Sequence, residues 1–82
     1  MTDNQRLLAI LRVLKATHDT SRTKTITLEG LADYFDRPMI EMKDDLARLE
    51  IDSCVRHFAD LGGHVSYMIT HEGRRRAIVA NR

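Results

Sequence analysis

The chain has 82 residues, 43% hydrophobic and 30% charged, a composition that fits one soluble globular domain with a modest core rather than a disordered one. Its four aromatic residues, Tyr34, Phe35, Phe58 and Tyr67, are too few to build a platform for stacking single-stranded bases. The formal net charge of +1 hides an asymmetry: residues 1–25 carry five Lys/Arg against two acids, residues 26–52 three against eight, and residues 53–82 five against two. Cys54 stands alone, so no internal disulfide forms, and a lone thiol suits a reducing compartment. Asp3, Arg6 and Arg12 interrupt the N-terminal apolar run, so neither a signal peptide nor a membrane span is expected there, and the cytoplasm is the expected location.

In chain order, the first element is a helix from about Asn4 to His18. Thr2 and Gln5 have capping-box spacing. Leu7, Leu11 and Leu14 share one face, which Ile10 and Val13 widen. So wide a stripe has two uses, the chain's own core or a dimer interface. Residues 18–24 are polar and read as a loop. Thr25-Ile26-Thr27 follows as a short strand, and Thr27 caps a helix from Leu28 to about Phe35 with Leu28, Leu31, Ala32 and Phe35 facing inward. Gly30, which costs up to ~1 kcal/mol against alanine in a helix, suggests the close passage of another helix. Asp36-Arg37-Pro38 makes the turn, with Pro38 as a first helical residue whose missing N–H is no loss. The third helix runs to about Glu50 on a core-facing stripe of Met39, Met42, Leu46 and Leu49.

From Ser53 the pattern changes to a hairpin. Residues 53–59 and 64–70 are strand-like, and Asp60-Leu61-Gly62-Gly63 supplies the turn. Thr70 caps a final helix over residues 71–81 carrying Ala77, Ile78 and Val79. The expected fold class is mainly α with a small antiparallel β-hairpin, in one domain over residues 1–82.

Leu31-Ala32, Phe35, Met42, Leu46, Leu49, Glu50 and Val55 resemble the helix-turn-helix pattern of the winged helix-turn-helix superfamily of prokaryotic transcription regulators. The run from Tyr67 to Arg74 is similar to the segment where a wing strand enters the last helix in MarR-like and PadR-like regulators. The matches span residues 28–76. The resemblance implies a helix-turn-helix at about 28–50, a wing at about 53–70 and a C-terminal helix, binding duplex DNA to regulate transcription; a homodimer is expected from the wide apolar face of the first helix and from Ile78 and Val79, which need cover. Two positions depart from the pattern. Asp36 stands where the turn usually has glycine, and Ser53 stands at the small or glycine position before the wing; aspartate tolerates a left-handed conformation better than most residues.

In such folds the third helix enters the major groove. Here its outer face is expected to present Ile40, Glu41, Asp44, Ala47 and Arg48, with Lys43 and Asp45 at the edges. Residues 38–50 hold two bases against four acids, which suits a polyanion poorly. Arg37 and Glu41, and Asp44 and Arg48, have the spacing to neutralise each other. The basic ends argue for DNA, through Arg56, His57 and His64 on the wing, Arg74-Arg75-Arg76 in the last helix, and Arg22 and Lys24 in the loop. The candidate DNA contacts are therefore Arg37, Ile40, Lys43, Arg48, Arg56, His57, His64, Arg74, Arg75 and Arg76. The arginine run has a second reading, as a solvated face or as partner to acids such as Asp33, Asp44 and Asp45. The rival function is a protein-interaction winged helix that docks through the acidic region 29–52, with Met39 or Ile40 exposed. Candidate dimer contacts are Leu7, Ile10, Leu11, Val13, Leu14, Ile78 and Val79.

Cys54, His57, His64 and His71 fall in the hairpin region, but Cys54 sits where an inward apolar residue belongs and reads as a small hydrophobe. No metal and no cofactor are expected. No phosphate loop, nucleophile motif or paired carboxylates point to an enzyme. With no effector domain in sight, an effector is expected to be a partner protein or to bind at a dimer interface.

Overall fold

The computed structural model describes residues 2–79. Its elements are α1 (Asp3–Thr20), β1 (Ile26–Thr27), α2 (Leu28–Tyr34), α3 (Met39–Ile51), β2 (Val55–Ala59), β3 (Val65–Ile69) and α4 (His71–Val79). Each expected element is present in the expected order. Residues 80–81, expected to end the last helix, lie outside the described residues.

The helix starts follow local chemistry. Thr2 Oγ1 accepts from the Gln5 amide while the Gln5 side chain accepts from the Thr2 amide, which completes the capping box of α1. Thr27 Oγ1 accepts from the Gly30 amide at 3.0 Å to start α2. That cap also corrects the reason for Gly30. A β-carbon there would press on Thr27 Oγ1 and the Ile26 side chain, and no other helix comes near it. Pro38 is the N-cap of α3 rather than its first helical residue, and its carbonyl accepts from the Met42 amide. Met39 is exposed and does not belong to the core-facing stripe; Met42, Leu46 and Leu49 do.

The sheet has three antiparallel strands in the order β1-β3-β2. Val55 pairs with Ile69 through to Ala59 with Val65, and Ile26 and Thr27 pair with Tyr67 and Ser66. The last helix is fastened to the start of the hairpin: the Thr70 amide and hydroxyl donate to the carbonyls of Cys54 and Ser53, and Thr70 Oγ1 accepts from the Gly73 amide.

One core joins every layer: Ile10, Leu11 and Leu14 from α1, Leu31 and Ala32 from α2, Met42, Leu46 and Leu49 from α3, Cys54 and Val55, Tyr67 and Ile69 from β3, and Ala77 from α4. This decides between the two uses of the first helix for three of its residues. Ile10, Leu11 and Leu14 are buried by the chain itself, so they are not available as dimer contacts. Leu7 and Val13 pack against the core while keeping some exposure, and Ile78 and Val79 stand open on α4.

Candidate nucleic-acid interface

The turn between α2 and α3 depends on Asp36, which adopts φ 49, the left-handed region that glycine fills most cheaply. The Arg37 amide then returns to the Ala32 carbonyl at 2.9 Å and ends α2. Ser53 adopts φ 63 at the other end of α3. Both positions where the sequence departs from the winged-helix pattern are therefore backbone positions of positive φ.

Between these turns α3 exposes Ile40, Glu41, Lys43, Asp44, Ala47 and Arg48. Asp45 is not at the edge of that face. It occupies the fourth position of the buried stripe with Met42, Leu46 and Leu49, and is 3% exposed. Two guanidinium groups hold it there. Arg6 of α1 donates from Nε to Oδ2 at 2.9 Å and from Nη2 to Oδ1 at 3.0 Å, and Arg37 donates from Nε to Oδ2 at 2.8 Å. Burial pushes the Asp45 carboxyl up, but the hydrogen bonds from Arg6 and Arg37 outweigh it and hold the pKa below the usual aspartate value. The same contact raises the Arg6 pKa further. Arg6 and Asp45 were not singled out from the sequence as a pair. The legible signal was an acid at an i, i+3, i+4, i+7 stripe position, which requires a buried cation beside it.

Arg37 also reaches Glu41 at 3.5 Å, so its guanidinium is engaged by two acids of α3. Asp44 and Arg48 do not form the expected pair among the described residues; Arg48 approaches Asp3 at 4.0 Å. Lys43 carries no ion pair among the described residues.

A groove of about 290 Å³ separates α3 from the hairpin, lined by Lys43, Ala47 and Glu50 on one side and His57, Val65 and Tyr67 on the other. Glu50 spans it, accepting from the His57 amide and bonding its ring Nδ1. On the wing Arg56 and Phe58 are exposed. At the tip, Asp60 Oδ1 accepts from the amides of Gly62 and His64, each at 2.9 Å, and Gly63 takes φ 81. Those backbone bonds, the His64 amide first, lower the Asp60 pKa. His64 lies 3.4 Å from Asp60, and Leu61 stands fully exposed.

The arginine run is not a free positive cluster. Arg74 meets Asp19 at 2.7 Å, Arg75 pairs with Glu72, and Arg76 reaches Glu72 at 3.3 Å and Asp52 at 3.4 Å. The acids involved are not Asp33, Asp44 or Asp45. Among the described residues the cations without an acidic partner are Arg12, Arg22, Lys24, Lys43 and Arg56. Cys54 is buried, burial pushes its thiol pKa up, and no group of three or more His, Cys, Asp or Glu among the described residues could hold a metal ion.

The crystal structure of the transcriptional regulator BldR from Sulfolobus solfataricus is similar to this chain, with a TM-score of 0.69 and 25% identity over 87% of the chain. The chain spans 50% of that protein's length. No protein-family model matches the chain, and no curated protein matches it. Four helices and a three-stranded antiparallel sheet among the described residues, together with this likeness, identify the fold: a winged helix-turn-helix.

Proposed function

We propose that the protein is a transcription regulator that binds duplex DNA as a homodimer, with α3 in the major groove and the β2-β3 wing against the backbone. The observation that carries this reading is the inward turn of Asp45. The helix as a whole is acidic, but with Asp45 buried and Glu50 engaged by His57, its outer face carries two acids, Glu41 and Asp44, against two bases, Lys43 and Arg48. A neutral face meets DNA without the repulsion that the composition implied. Ile40, 73% exposed, offers apolar contact to a thymine methyl. Lys43 and Arg56 supply the phosphate contacts, aided by Lys24, while Arg74 and Arg76 fasten α4 through Asp19 and Asp52 and Arg75 is paired within α4. The likeness to a transcriptional regulator supports the same role.

For the dimer, Ile78 and Val79 with the outer edges of Leu7 and Val13 are the apolar surface left to share. The role is one of binding rather than catalysis. A single buried thiol fits a cytoplasmic setting, and among the described residues no helix is long and apolar enough to cross a membrane.

Fluorescence anisotropy with a random-sequence duplex, titrated from low to physiological salt, tests the reading. Binding that weakens steeply with salt is expected, and its slope counts the phosphate contacts. Absence of binding at low salt overturns it. One observation favours a second reading, docking to a protein through α2 and α3: Tyr34 and Ile51 are exposed alongside Ile40, and neither has an evident role on DNA.

A further inference from the structure

A cluster of nitrogen-bearing side chains outside the α3–wing surface lies where the end of α1 meets the start of α4. His18 and Asp19 from the last turn of α1, Arg22 from the loop beyond it, and His71 and Arg74 from α4 line a concavity of about 350 Å³ floored by Ile69 and Thr70. We propose that this concavity binds a phosphate oxyanion.

The charge balance favours an anion. Asp19 is the one acid in the lining among the described residues, and both its oxygens are occupied: Oδ1 takes Arg74 at 2.7 Å and Oδ2 takes Lys15 at 2.8 Å. Those contacts hold its pKa below the usual value, Lys15 contributing most. Arg22 meets no acid among the described residues, so Lys15, Arg22 and Arg74 leave the cluster with a positive excess over Asp19. The donors are also oriented. Arg74 Nη1 lies 2.9 Å from His18 Nδ1. A guanidinium only donates, so Nδ1 is the acceptor and the His18 proton sits on Nε2, a second donor. Asp19 and His18 hold the Arg74 guanidinium in place, which lowers the entropy cost of engaging a ligand. Arg22, with its geometry unspent, is the residue free to close on it. The site lies within one chain, so it needs no dimer interface and does not depend on DNA binding.

Two sources offer this chemistry, a DNA backbone phosphate and a free phosphate or phosphate ester, and one set of titrations separates them. Inorganic phosphate is titrated into the full chain at constant ionic strength, with chloride as control, and followed by amide chemical shifts. Saturable shifts confined to residues 18–22 and 69–74 are expected, with Arg22→Ala weakening the response by about tenfold, the loss of one charge-assisted contact. Amide shifts elsewhere in that variant report that it still folds. Shifts that chloride reproduces, shifts spread over Lys43 and Arg56, or a response unchanged in Arg22→Ala overturn the proposal. If duplex DNA displaces phosphate and Arg22→Ala lowers the salt slope of DNA binding, the site takes a backbone phosphate. If DNA and phosphate bind together, or phosphate binds and DNA does not, the site takes a free anion.

Discussion

Gly73 of α4 sits directly beneath the carbonyl of Cys54, so close that a β-carbon at position 73 would overlap the Cys54 oxygen and crowd the Ile69 side chain. The obstacle is backbone, fixed further by the Thr70 amide that donates to the same oxygen at 3.0 Å. Gly73→Ala must therefore push α4 away from the hairpin, at a cost of about 3 kcal/mol, the upper end for overpacking. A lowered urea midpoint with the far-ultraviolet helical signal retained below the transition is the expected result. A midpoint equal to wild type would mean that α4 is free to shift.

Asp45→Asn keeps the shape of the side chain but strands two guanidinium groups. Removing one partner of a buried pair costs about 3–5 kcal/mol. Arg6 and Arg37 keep some contact with water, so about 2–3 kcal/mol is expected here. The pH dependence follows from the lowered native pKa of Asp45. Stability from this group is fully present above its unfolded pKa, near 4, and is lost as pH falls through the native value. Denaturation midpoints measured at pH 7, 4 and 3 should therefore fall on acidification in the wild type, and less steeply in Asp45→Asn.

Ser53→Gly should stabilise the protein. A left-handed conformation costs an L-residue about 1–2 kcal/mol, and the Ser53 contact to Thr70 uses its backbone carbonyl, which glycine keeps. The greater freedom of glycine in the unfolded chain offsets part of this, leaving a gain of about 0.5 kcal/mol. Asp36→Gly gains less, because aspartate already tolerates φ 49. Thermal melts of the two variants give the comparison.

On the proposed function, substitutions of cations on the α3–wing surface and on α4 should differ. Lys43→Glu and Arg56→Glu each weaken duplex binding and lower the salt slope by about 1. Arg75→Ala, which removes a guanidinium already paired with Glu72, changes affinity by less than about twofold. Equal losses from all three in anisotropy titrations would put α4 on the DNA.

Element order was legible because it rests on local chemistry: Thr2, Thr27 and Thr70 announce helix starts, and the glycines after Asp60 announce a turn. The positive φ of Asp36 and Ser53 was legible only through the pattern in which glycine is usual. Side-chain partnerships were not. Asp45 finds Arg6 at a separation of 39 residues, and Arg74 finds His18 at 56. No local spacing rule reaches that far. Charge counting along α3 misjudged its outer face for the same reason, since the count cannot see that one acid points inward. Met39, one turn before Met42, extends the apolar spacing, yet it sits at the open end of the helix where the core stops.

The bond set around Asp45 ties three parts of the chain that arise independently in sequence: the N-terminal helix, the inter-helical turn and α3. A neutral substitution at position 45 strands the two guanidinium groups, whereas one at position 6 or 37 leaves Asp45 with a single cationic partner. Chains descended from this one should therefore keep an acid at position 45 wherever 6 and 37 are basic, or replace the trio as a block with apolar residues of similar volume, and intermediates that neutralise position 45 alone should be short-lived.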